Sequence, residues 1–298
     1  MSIFESVMLP VIFIFATGFV FQKIFNLEIK PLSTLAISLL LPFLTFQTFY
    51  KNAINTAFYF IIVVLLLSLI ALVILGIIVG KSLHFKRSQI DALLLASCFP
   101  NSGNYGVPIV MFAFGHKGLL YGLPIMIFHN LLMGTVGVYI AADKQGNVLG
   151  PLKQVFKQPM NYVILPAILM NKFQLILPVN FMKSITLIGN TTVPIIMLIL
   201  GMQLASVQLV RSDWNKIWLA SVLRLMISPL IVYFICQLLP INATLTAILV
   251  VMSAMPSAAN TTLYAIQFAV EPQFVAINTL ISTLFSILTL TVLLNFIG

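Results

Sequence analysis

Charge is scarce in this chain. Its 15 basic and six acidic residues make up only 7% of 298 positions. A soluble domain carries about 25% charged residues. So little charge cannot solvate the surface of a 33 kDa globule, which excludes a soluble enzyme, a soluble nucleic-acid-binding protein and a disordered chain. Cysteine is equally rare. Cys98 and Cys236 both sit inside apolar runs and offer neither a disulfide framework nor a zinc spacing. Of the three histidines, His84 and His116 fall in expected loops, and no three ligands are placed to hold a metal, so neither metal nor other cofactor is expected. The six acids, Glu5, Glu28, Asp91, Asp143, Asp213 and Glu271, all fall at span ends or in loops. Carriers that hold a cation within the membrane generally need a buried Asp or Glu. Their absence from the deep segments speaks against a cation/proton antiporter and for an anion carrier.

What the sequence has instead is apolar length, with 61% of its residues hydrophobic. A membrane helix takes about 20 apolar residues. Apolar runs separated by polar, Pro or Gly breaks give ten expected spans, at 6–25, 32–50, 54–80, 90–115, 118–142, 159–176, 180–208, 214–239, 243–269 and 272–297. The expected fold class is therefore an all-α polytopic membrane protein. One longer linker, 143–158, carries Gly146, Gly150, Pro151, Lys153 and Lys157 and divides the chain into halves 1–142 and 159–298. The first apolar run follows Glu5 with no Lys or Arg ahead of it, so it is expected to be a retained span rather than a cleaved signal.

The net charge of +9 reads as orientation charge rather than as a nucleic-acid footprint. One set of alternate loops collects Lys23, Lys30, Lys81, Lys86, Arg87, Lys144, Lys153, Lys157, Arg211 and Lys216; the other holds only Lys51, Lys117, Lys172 and Lys183. The positive-inside rule then puts the linker in the cytoplasm and both termini on the other side of the cell (inner or plasma) membrane.

The halves carry matching features. Phe99-Pro100-Asn101-Ser102-Gly103-Asn104 in span four resembles Met255-Pro256-Ser257-Ala258-Ala259-Asn260 in span nine, at an offset of 156 residues. Pro124 and Asn130 in span five resemble Pro272 and Asn278 in span ten, at an offset of 148. Five spans per half is an odd number, so two similar halves insert with opposite orientation, as in many carriers. Pro100, Gly103, Gly106 and Pro108 crowd the middle of span four, and Pro256 interrupts span nine. Proline breaks a helix, and freed backbone within a membrane is tolerated only where protein or a watery cavity covers it. The half-helix after each break presents free amides and a positive dipole end, a setting for an anionic group. Asn101, Asn104, Asn130, Ser257, Asn260 and Thr261 could add neutral hydrogen bonds there.

With these residues in view, the chain resembles the auxin efflux carrier family, which includes plant auxin exporters and bacterial permeases for malonate, malate and related acids. Pro100-Asn101-Ser102-Gly103-Asn104-Tyr105-Gly106-Val107-Pro108 is similar to the family's Pro-Asn-x-x-x-x-Gly-x-Pro pattern. Arg224-Leu225-Met226-Ile227-Ser228-Pro229 is similar to its Arg-x-x-x-Gly-Pro segment, with Ser228 in place of Gly. The resemblance implies two inverted five-helix repeats whose broken helices four and nine cross at Pro100/Pro108 and Pro256. It also implies a scaffold of helices 1, 2, 6 and 7 beside a transport domain of helices 3–5 and 8–10. Asn101 matches the family's substrate-contacting Asn, and pairing of two copies through the scaffold is a further implication. Span nine departs from the plant pattern after Pro256, which puts auxin itself in doubt.

Two deep charged or titratable residues stand apart. Arg224, about ten residues into span eight, could be a counter-ion for an acidic substrate, cap carbonyls of a broken helix, or reach the cytoplasmic face along its stem. His129 could couple transport to protons or simply be a bonded core histidine. The Thr45/Gln47 and Gln203/Ser206 pairs could line the scaffold side of a cavity. The expected function is elevator-type efflux of a small organic anion through the bilayer. The alternatives are a membrane-embedded enzyme, for which the deep spans offer only His129 and Arg224, or a ligand sensor or channel using the same cavity.

Overall fold

A computed structural model describes residues 4–52, 56–142, 158–206 and 213–297; of the expected linker, all but Gln158 lies outside these. Among the described residues every regular element is a helix, and the one extended pairing is a single bridge between Pro100 and Ser257. Seven helical stretches are long and apolar enough to cross a bilayer. They are Phe4–Phe25 (α1), Ile29–Lys51 (α2), Thr56–Ser82 (α3), Ser102–Ala141, Val179–Ser206, Trp214–Gln237 and Pro272–Ile297. Shorter helices are Arg87–Cys98 (α4), Pro159–Lys172 (α7), Ala243–Ser253 and Ala259–Gln267.

Ser102–Ala141 is a helical hairpin rather than one rod. It is broken at Gly115, where φ is 57° and ψ is −133°, a conformation open in practice only to glycine. The two arms, 102–114 (α5) and 116–141 (α6), fold back so closely that Gly118 rests on the Val110 carbonyl. Spans four and five were expected to be separated by a short loop, and this single residue does that work. The remaining helices are Val179–Ser206 (α8), Trp214–Gln237 (α9), Ala243–Ser253 (α10), Ala259–Gln267 (α11) and Pro272–Ile297 (α12). Expected span four is thus α4 and α5 around a break at 99–101, and expected span nine is α10 and α11 around a break at 254–258.

Proline shapes these helices in a consistent way. Among the described residues five turns are widened to i→i+5 spacing, at Phe4–Met8, Ala36–Leu40, Ser102–Gly106, Met133–Gly137 and Leu223–Ile227. Four of the five end two residues before a proline: Pro10, Pro42, Pro108 and Pro229. A proline ring has no N–H and clashes with the carbonyl one turn back, and a widened turn relieves both problems while keeping the helix continuous.

Helix α1 packs along α8, and α2 packs along both α7 and α8. The α1–α8 contact is backbone-close and reciprocal. Gly18 faces the Leu198 carbonyl and Gly201 faces the Phe15 carbonyl, so a Cβ at either would strike main chain. Small residues let helices approach in this way where no aqueous hydrophobic effect drives them together. Gly201→Leu is expected to lower stability by about 1–3 kcal/mol through overpacking, read as a lower unfolding temperature of the purified protein. An unchanged temperature would show that the pair is not closely packed.

Helices α4 and α10 are the most enclosed, with Ile90–Cys98 and Ile248–Ser253 buried on every side. Large apolar side chains such as Phe13, Leu187 and Ile176 stay exposed on the outside, as lipid-facing residues do. Asp91 departs from the solvated setting that its place at a span end suggested. It is buried one turn into α4, with both carboxylate oxygens on Arg87 Nε at 3.0 and 3.1 Å.

Candidate functional site

The two helix breaks pair with each other. Phe99 precedes a proline, which disfavours helical backbone, and it is extended at φ −112° and ψ 111°. Its carbonyl accepts from Ala258 N–H at 2.9 Å, while Asn101 N–H donates to the Pro256 carbonyl at 2.7 Å. Two short extended segments thus satisfy each other's main-chain groups, as non-helical backbone in this environment requires. Four helix ends converge here: the C-termini of α4 and α10, and the N-termini of α5 and α11.

The C-terminal ends are closed by protein. Arg224, 1% exposed and carried by the widened turn of α9, donates from Nη1 to the Ser97 carbonyl at 2.9 Å. Its Nη2 donates to the Ser253 carbonyl and to Ser228 Oγ. One guanidinium therefore ties the last turn of α4 to the last turn of α10. Ser228, which stands where the family pattern has Gly, also donates to the Ser253 carbonyl at 3.1 Å. Beside this clamp, Ser257 Oγ and Asn278 Nδ2 both donate to the Ala96 carbonyl. Asn278 also donates to Ser257 Oγ at 2.8 Å and accepts from Ser221 Oγ at 3.0 Å. These contacts occupy Ser257, and Thr261 donates to the Ala258 carbonyl. Neither residue lines the cavity described next, although both were expected to contact substrate.

The N-terminal ends are left open. A cavity of about 100 Å³ lies against them, lined by Pro100, Asn101, Ser102, Gly103 and Asn104 from the first break and by Ala258, Ala259 and Asn260 from the second. Met126, Asn130 and Met133 on α6, Ile37 and Leu41 on α2, Ile196 on α8 and Gln158 close the rest. Four of the expected contact residues, Asn101, Asn104, Asn130 and Asn260, are therefore gathered around one space. Asn101 is 6% exposed, faces the cavity, and makes no side-chain hydrogen bond among the described residues. Among the described residues no charged side chain lines it. Gly106 and Pro108 stand behind it: Gly106 lies against Met252 and Met255, and Pro108 follows the widened first turn of α5. Gln158 and Ser102 were not anticipated. Gln158 had no pattern to mark it, whereas Ser102 lay inside the motif.

His129 sits on the far side of Ser102. Its Nδ1 is 2.6 Å from Ser102 Oγ, and it borders a cavity of about 10 Å³ shared with Arg224, Cys98, Ser68, Ser228 and Ser253. If Nδ1 carries the proton and donates to Ser102 Oγ, the serine hydroxyl is free to donate toward the larger cavity. Of the pairs expected on the scaffold side, Gln47 donates to Asn190 Oδ1 at 3.2 Å and Ser206 to the Met202 carbonyl, away from the cavity.

A helical membrane protein with paired interruptions and an enclosed polar cavity is built as a carrier is built. The family model for membrane transport proteins matches residues 2–157 and 151–294, so the chain belongs to that family, of the auxin efflux carrier type. It is similar to an uncharacterized transporter of Methanocaldococcus jannaschii, 28% identical over 301 residues that cover 96% of each chain. It is also similar to an uncharacterized transporter of Methanothermobacter thermautotrophicus, 24% identical over 271 residues, which are 88% of this chain and 87% of the relative. The protein is a multi-pass membrane transporter and not an enzyme.

Proposed function

We propose that the protein is a secondary carrier that exports a small organic anion such as a carboxylic acid across the cell membrane. The carrying observation is the cavity at the paired breaks, where two uncapped helix N-termini and four asparagines surround a space with no acid among the described residues. Such a lining suits a carboxylate, and among the described residues it holds no counter-charge for a cation. In this reading the chain crosses the membrane ten times as two inverted five-helix repeats, and spans four and nine cross at Pro100 and Pro256. Span six is the short α7, and the termini lie on the non-cytoplasmic side. Helices α1, α2, α7 and α8 form the scaffold, on which two copies would pair, and the remaining helices move past it in an elevator-type cycle. The packing of α1 on α8 and of α2 on α7 and α8 supports this division, as does the composition of the cavity wall. Its scaffold side is largely apolar, with Ile37, Leu41 and Ile196 beside the one polar residue Gln158 at the start of α7 among the described residues. A largely apolar wall makes few polar contacts that a moving polar site would have to break.

The test is entrance counterflow in proteoliposomes, with labelled pyruvate, lactate and malonate against sodium ion and a neutral sugar. Saturable exchange of at least one acid, absent from protein-free vesicles, is the expected result. Exchange of sodium or sugar with none of the acids would overturn the anion reading.

A further inference from the structure

Resting on the anion-carrier reading, we infer that the site takes a carboxylate with a single negative charge and about four to six non-hydrogen atoms, and discriminates against dicarboxylates. The inference comes from counting charge at the four helix ends. Each helix terminus carries about half an elementary charge, positive at the N-terminus and negative at the C-terminus. The C-termini of α4 and α10 together present about one negative unit, and the single guanidinium of Arg224 lies on both, at the Ser97 and Ser253 carbonyls. No carboxylate contacts Arg224 among the described residues, and none is needed.

The N-termini of α5 and α11 present the complementary amount, about one positive unit, to the cavity. There it is not cancelled, because among the described residues no Asp or Glu lines the wall. Nor is it increased, because among the described residues Lys and Arg are equally absent from the lining and Arg224 is spent on the opposite side of the breaks. One ligand charge is matched. A second would be held beside neutral amides, methionines and aliphatic side chains with nothing to balance it, a costly arrangement in a low-dielectric site.

A second observation shows that the N-termini face a ligand space rather than packed protein. Asn101 is 6% exposed, lines the cavity and leaves its side-chain amide without a partner among the described residues. Asn104, Asn130 and Asn260 share that wall. Size sets the other limit: a cavity of 150 Å³ takes the six carbons of benzene, so about 100 Å³ takes about four heavy atoms and at most about six.

The experiment measures dissociation constants of the detergent-purified full chain for propionate, lactate and pyruvate, for malonate and malate with both carboxyls ionised, and for propionamide. The propionate-to-propionamide comparison changes charge at constant shape. The monocarboxylates are expected to bind at least about tenfold more tightly than either the dicarboxylates or the amide. A variant sharpens the test. Gln158→Lys adds one positive charge at the cavity wall, outside the paired breaks, and is expected to shift the preference toward malonate. Malonate or malate binding as tightly as the monocarboxylates in the unmodified protein would overturn the single-charge inference and leave the anion carrier standing. Propionamide binding as well as propionate, or no acid binding at all, would overturn the anion reading itself. A Gln158→Lys protein that keeps the original ranking would also count against the charge argument.

Discussion

Asn101→Ala is expected to weaken substrate binding about 10- to 100-fold, with little change in the stability of the unliganded protein. A hydrogen bond to a charged group contributes about 1.5–3 kcal/mol, and the buried Asn101 amide has no competing protein partner to release when substrate arrives. The fold keeps its use of this residue because that use is main-chain. Asn101 N–H donates to Pro256 and its carbonyl accepts from Gly106 N–H at 3.0 Å, and alanine preserves both. Nor is a helix cap lost, since the side chain makes none. The measurement is a ligand-induced rise in unfolding temperature, with counterflow activity alongside. At a hundredfold excess over the dissociation constant a ligand stabilises by about 2.7 kcal/mol, and in the variant this should fall to about 0.4–1.4 kcal/mol. Asn295→Ala is the control, because that side chain is exposed near the end of α12 and only donates to the Thr291 carbonyl. Asn101→Asp should be worse than alanine, since it places a negative charge where the substrate's must sit. Equal binding by Asn101→Ala and the unmodified protein would remove the cavity from consideration as the site.

The parts of this site that could be read in the sequence are those that leave a mark on residue type. Proline and glycine mark where helices break, because they alone lack an N–H or a Cβ. So Pro100 and Pro256 located both interruptions, and Asn104 and Asn260, at equal distances after them, reached the same cavity. The matched pair Asn130 and Asn278 shows the limit. Their spacing from a proline is the same, yet Asn130 lines the cavity while Asn278 is buried behind the breaks on Ser257 and Ala96. Ser257 and Thr261 lie off this cavity for a related reason: once a backbone leaves regular helix, spacing no longer says which way a hydroxyl points, and both bond to main chain. Arg224 left three readings open because its partners are carbonyls, which every residue has and no sequence advertises. Gly115 was legible only as one glycine among many. Its positive φ, not its identity, turns α5 into α6.

Arg224 supplies the other large expected effect, and the substitutions there separate a clamp from a counter-ion. Arg224→Met removes every donor from the Ser97 and Ser253 carbonyls that the guanidinium supplied and leaves two helix C-termini facing each other with no positive charge between them. Leaving a buried acceptor unpaired costs about 1–3 kcal/mol, and two carbonyls lose a charged donor at once, so the variant should fold poorly or unfold at a much lower temperature. Ser228 still donates to Ser253 in that variant, which limits the loss at α10 but does nothing for α4. Arg224→Lys keeps the charge but not the fork that spans the two helix ends, and should fall between methionine and the native residue. The decisive comparison is between stability and affinity. If Arg224 holds the two half-helices together, Arg224→Lys lowers the unfolding temperature while the folded fraction binds substrate with little change. If it were the counter-ion, the variant would lose affinity with its stability intact. The geometry favours the first outcome, because the guanidinium lies on the carbonyl ends of α4 and α10 and does not line the cavity that the asparagines share.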